Sequence, residues 1–173
     1  MRNSLRASVV STLLVGLVAL VCLSWLARAE LPLSALYPLK AAAGFTLVML
    51  LAMGFLRDTH PFARFGAANQ ITAARAALVV LVASLIGEAA LPAVATGGAA
   101  ASFVATVLDG ADGWLARRSR MASRFGARFD MEIDALLILA LAILVWQFGK
   151  AGRWVVASGL LRYLFLAAGL LWR

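Results

Sequence analysis

Apolar residues in this chain run in six stretches of near-spanning length, Ala7–Ala27, Leu36–Leu56, Ile71–Gly87, Leu91–Ala116, Phe129–Gly149 and Trp154–Trp172. Short clusters of charge, proline or glycine separate them. Runs of this length predict membrane-spanning helices. Composition agrees: 64% of the 173 residues are hydrophobic and the mean hydropathy is +0.94, more apolar surface than a water-soluble domain of this size can hide. The expected fold is an all-α integral membrane protein with six transmembrane helices.

Charge then sets the orientation. The net charge is +8, but the basic residues lie in short blocks between apolar runs with no recognition motif, so nucleic acid is not the expected partner. With a cytoplasmic N-terminus, Arg2, Arg6, Arg57, Arg64, Arg117, Arg118, Arg120, Arg124, Arg128 and Arg173 fall inside, against Arg28, Lys40, Lys150 and Arg153 outside. Trp25, Trp146 and Trp154 then mark the outer boundary, and Trp114 and Trp172 the inner one. Both termini are expected in the cytoplasm, and the protein in the inner (cytoplasmic) membrane. Arg2, Arg6 and the triplet Ala27, Arg28, Ala29 imitate a secretory signal, but the apolar run exceeds the usual core of about 7 to 15 residues, which favours a retained helix. Cleavage would leave five helices in the same orientation. Cys22 stands alone in an apolar run, which excludes an internal disulfide and fits inert packing.

Residues 1–66 hold two helices without a membrane acid and read as an accessory unit ending in a cytoplasmic connector; residues 67–173 hold the remaining four helices. His60, the single histidine, lies in that connector and is given no catalytic role. In the fourth segment Gly97, Ala101 and Ala105 recur every four residues, a pattern that lets helix backbones approach and predicts tight packing around the acids that follow.

Those acids are the chemistry of the chain. An aspartate at the centre of a membrane helix costs about 2.5 to 3.5 kcal/mol on insertion scales, and here Asp109, Asp112, Asp130 and Asp134 occur at the ends of two consecutive segments. At about 100° per residue, Asp109, Asp112, Gly113 and Ala116 share one stripe, and Gly126, Asp130 and Asp134 share another. Glu132 falls on the opposite side and is not expected to be a ligand. A short arginine-rich connection makes the two helices antiparallel neighbours, closing a hairpin around metal on the cytoplasmic side. Oxygen donors without cysteine or histidine favour Mg2+ or Mn2+, with two ions expected.

The pattern from Asp109 through Asp112, Gly113, Ala116, Arg117 and Gly126 to Asp130 and Asp134 resembles the signature of the CDP-alcohol phosphatidyltransferases, with all eight fixed positions at matching spacing. The resemblance implies a membrane enzyme of phospholipid biosynthesis. Such an enzyme transfers a substituted phosphoryl group from a CDP-linked lipid donor, such as CDP-diacylglycerol, to a small alcohol acceptor and releases CMP. It implies that Asp109, Asp112 and Asp130 hold the metal, and that Asp134 completes the metal site and acts as the catalytic base. Gly113, Ala116, Arg117 and Gly126 would contact the nucleotide; small residues leave room for a cytidine or ribose, and a guanidinium matches phosphate. Asn69, Thr72 and Arg75 match a second family pattern in which Ala68 replaces the usual proline. Asn69 and Thr72 would join the nucleotide site, although capping and back-bonding explain them equally well. Arg75 needs a partner in a membrane helix. It is a candidate contact for phosphate or acceptor, as are Arg124 and Arg128, while orientation and anionic headgroups account for most arginines of the connection.

The family core has six membrane helices, of which four are expected here, so residues 67–173 read as a partial core truncated at its C-terminus. The acceptor's identity, a homodimer and independent activity stay open. Two other readings compete: a divalent-cation channel or carrier, weakened by acids that cluster at one face, and a noncatalytic metal-binding fragment.

Overall fold

The computed structural model describes residues 2–59, 61, 62, 64–119 and 123–171; the side chains of residues 2, 3, 55, 57–59, 111–117, 119, 166, 167 and 169–171 lie outside that description. Among the described residues the fold is entirely helical, with α1 (Arg2–Glu30), α2 (Tyr37–Thr59), α3 (Ala67–Ala83), α4 (Pro92–Ser119), α5 (Arg124–Gln147) and α6 (Trp154–Leu171). Three spans, Ser4–Glu30, Tyr37–Gly54 and Pro92–Gly110, are long and apolar enough to cross a membrane, while α3 and α6 contribute shorter apolar stretches.

Each helix begins or ends about where hydropathy places it, with two informative shifts. α3 starts four residues before Ile71, at Ala67, and is preceded by the N-cap Gly66, whose φ of 84° is the left-handed conformation that suits glycine. It also stops at Ala83, because residues 84–88 fold into turns around Gly87 at φ 81°. α5 starts five residues before Phe129, where the Ser123 hydroxyl accepts a hydrogen bond from the Gly126 amide at 3.0 Å. This N-cap satisfies an amide that would otherwise have no partner. Hydropathy misses both first turns because they are polar, although they are helical.

α3 is the centre of the bundle and packs against α1, α2, α4 and α5. Ala73, Ala76, Ala77, Val79, Val80, Leu81 and Val82 are all buried, so nearly its whole circumference is covered. Small side chains permit that crowding. The hairpin expected between α4 and α5 takes a different form: both pack on α3, and their direct contact is slight at most among the described residues. α3 stands between them because its alanine-rich surface fits both neighbours and its one charged side chain, Arg75, is attracted to acids on each.

One member of the small-residue stripe of α4 packs elsewhere than expected, while Ala105, one turn before Asp109, is buried as expected. A Cβ on Gly97 would lie 2.9 Å from Leu31 Cδ1, so this glycine admits the α1–α2 loop rather than the surroundings of the acids. α1 and α2 interlock where Phe45 reaches Gly16, at which a Cβ would come within 2.8 Å of the ring. Val15 and Val18 project outward, as does Cys22, which is exposed instead of packed in the core.

A polar clasp ties the accessory helices to the others. Glu88, buried in the turn after α3, accepts from the Ser34 amide at 2.7 Å, the Ser34 hydroxyl at 2.9 Å and the Lys40 ammonium. Lys40 also reaches the Ile86 carbonyl, and Gln147 at the end of α5 bonds the Gly87 amide and the Glu88 carbonyl. Burial pushes the Glu88 carboxyl toward its neutral form. The hydrogen bonds from Lys40 and Ser34, with the Lys40 charge, outweigh it and hold the group below the ordinary carboxylate range.

Candidate active site

Asp130 and Asp134 are one helical turn apart on α5, so their side chains stack on one face. Asp109, in the C-terminal half of α4, brings its carboxylate to theirs. One carboxylate oxygen from each of the three lies within 4.8 Å of the others, although they come from two helices. The donor set is all oxygen, which fits a hard divalent cation.

Arg75 holds the three together. Its Nη2 is 2.8 Å from Asp109 and also pairs with Asp134, while Nη1 pairs with Asp130. The guanidinium side chain is only 2% exposed, whereas those of Asp109, Asp130 and Asp134 are 44%, 37% and 46% exposed. The acids therefore line an open surface with the cation beneath them. A membrane arginine demands acidic partners, and the sequence marks Arg75 for that reason. It does not reveal that the partners are the cluster itself.

The structure also joins Asn69 to Gly126. Asn69 is buried and its side-chain amide donates to the Phe65 carbonyl. A Cβ added at Gly126 would lie 2.8 Å from its Oδ1. Glycine at 126 thus lets α5 approach the start of α3, an account of this position that needs no nucleotide. Thr72, also buried, donates to the Ala68 carbonyl at 3.1 Å. Phe65, Phe125 and Phe129 stack beside these residues, with ring centroids 5.7 Å and 5.6 Å apart for successive pairs, and fix the connector against α5.

Arg124 and Arg128 are exposed on the first turns of α5. Asp112, Gly113, Ala116 and Arg117 belong to α4, but their side chains are outside the described ones, and His60 is outside the described residues altogether. Glu132 turns away from the cluster toward Arg162 of α6, with Nη2 to Oε1 at 2.7 Å. That pair was missed in the sequence, although an arginine within an apolar helix is the same signal that singles out Arg75.

Comparison with known proteins places the chain in a family. The profile of the family described as CDP-alcohol phosphatidyltransferase matches residues 65–173. A Bacillus subtilis (strain 168) protein named CDP-diacylglycerol--glycerol-3-phosphate 3-phosphatidyltransferase is 31% identical over 103 residues, which cover 53% of this chain and 53% of that protein. The chain thus matches about half the length of that curated relative. No solved structure matches it. The profile takes in α3 to α6 with Arg75 and the three clustered aspartates, and the chain belongs to the CDP-alcohol phosphatidyltransferase family.

Proposed function

We propose that this protein is a metal-dependent transferase that moves a phosphatidyl group from CDP-diacylglycerol, or a related CDP-alcohol, to a small alcohol with release of CMP. The observation that carries the proposal is the convergence of Asp109, Asp130 and Asp134, within the family-matched region, into an open cluster of oxygen donors. Glycerol 3-phosphate is the acceptor to test first, because the Bacillus subtilis relative's name contains it.

Asp109, Asp112, Asp130 and Asp134 would hold Mg2+ or Mn2+, with two ions as the working number. Bound divalent ions neutralise diphosphate oxygens and stabilise the departing phosphate. Asp134 is the proposed base. It takes the proton of the acceptor hydroxyl as that oxygen bonds to the lipid-bearing phosphorus, while the bond from phosphorus to the CMP oxygen breaks. Arg117 would bind phosphate, Gly113 and Ala116 leave space for the nucleoside, and Asn69, Thr72 and Gly126 shape the adjoining wall. Arg124 and Arg128 are exposed cations on the first turns of the helix that carries Asp130 and Asp134, suited to a phosphorylated acceptor.

The arginine distribution supports six spanning helices with the acids toward the cytoplasm, residues 1–66 as an accessory unit and residues 67–173 as the catalytic core. The deciding experiment supplies the protein in membranes with CDP-diacylglycerol and a panel of alcohols, and follows CMP and lipid product together. CMP release that requires both Mg2+ or Mn2+ and an acceptor is the expected result. Divalent-ion flux without nucleotide, and no CMP, would make the channel reading correct instead.

A further inference from the structure

Three carboxylates whose oxygens lie within 4.8 Å of one another repel each other when ionised. Arg75 meets them from the buried side, while the acids keep their exposure on the other. It also bridges α4 and α5, two helices with little direct contact among the described residues: Nη2 spans Asp109 and Asp134, and Nη1 takes Asp130. A planar guanidinium suits this task because its terminal nitrogens point in fixed, separate directions.

We infer that Arg75 is a positioning residue for the metal ligands, a fixed buried cation that gathers the carboxylates of α4 and α5 into a divalent-ion site before the ion arrives. The inference rests on reading the cluster as a divalent-ion site, and gives Arg75 this task in place of contact with the donor phosphate. The acids are brought together during folding, so ion binding does not have to overcome their mutual repulsion or draw two helices together. Removing Arg75 leaves the charges but not their convergence. Net attraction for a cation would rise at long range, yet the shared coordination sphere would be lost.

The test is Mn2+ binding, followed by electron paramagnetic resonance on the purified full chain in lipid nanodiscs. For Arg75→Gln the affinity is expected to fall about 10- to 100-fold, the range for loss of a group that orients metal ligands. Arg75→Lys, which keeps the charge without the fork, should fall less. Unchanged or tighter Mn2+ binding in a folded Arg75→Gln protein would overturn the inference, since Arg75 would then be a bystander or a competitor of the ion. Where the variants fail to fold, nitrogen-15 NMR of the Arg75 guanidinium in the unaltered chain decides: hindered rotation should persist when Mg2+ saturates the site, and release on Mg2+ addition overturns the proposal. Wild-type Mn2+ binding without CMP release counts against the transferase reading alone, and the variant-to-wild-type ratio still decides the role of Arg75. No Mn2+ binding to the wild type defeats both.

Discussion

α3 has an ion-paired cluster at its midpoint and another in the turn that follows it, and the two are built on opposite plans. Around Glu88 one carboxylate is surrounded by donors from Ser34 and Lys40 and is buried. Around Arg75 one guanidinium meets three carboxylates that remain partly exposed, so these four groups carry a formal charge of −2. The first arrangement is saturated and joins helices. The second keeps surplus negative charge on an open surface, which is what a site for a divalent ion requires. The ratio of acids to donors, together with which member is buried, separates a saturated ion pair from one that keeps charge for a further cation.

The comparison breaks most sharply at Asp134. Asp134→Asn is expected to lower CMP release by about 10²- to 10⁴-fold, the usual worth of a general base, with the melting temperature close to that of the wild type. Full turnover in this variant would remove Asp134 from the chemistry. Glu88→Ala should do the reverse. It leaves Lys40 and Ser34 without their acceptor and costs about 1 to 3 kcal/mol in thermal unfolding, discounted because Lys40 is 35% exposed and water screens part of its charge. CMP release per folded molecule should hold. A selective loss of turnover without loss of stability would show that the clasp also serves the active site.

Gly126→Ala sharpens the contrast at closer range. Its Cβ would meet Asn69 Oδ1 at 2.8 Å, and the displacement costs about 1 to 3 kcal/mol in unfolding experiments. Adding Asn69→Ala should recover most of that stability, and no recovery would show the clash is elsewhere. The smallest effect concerns acid. Because folding lowers the Glu88 pKa, the clasp contributes fully above the unfolded value near 4.5 and is lost as pH falls through the lower folded value. Melting profiles of wild type and Glu88→Gln should therefore converge as pH falls below about 4.5. Curves that stay parallel would contradict this linkage.

Much of this was legible in the residues. The six helices follow from hydropathy alone, and the spacing of Asp130 and Asp134 gives their common face. Arg75 is conspicuous because charge inside an apolar helix needs compensation. What the sequence could not supply is that α3 would come between α4 and α5, since one-dimensional spacing implies that consecutive helices are neighbours. Glu88 escaped notice for a related reason: a single acid in a loop of glycine and alanine looks solvated until Ser34 and Lys40 are folded onto it. Ser123 shows a third limit, because its capping bond starts α5 in a polar stretch where a hydropathy window finds nothing.

Gly159 bears on how α6 is attached. A Cβ there would come within 2.8 Å of the Leu139 Cα, so α5 and α6 touch main chain to main chain. α6 packs chiefly along this seam, reinforced by Arg162 and Glu132. Among the described residues, a tilt of α6 would thus reach the aspartates chiefly through α5, as a lever acts through its pivot.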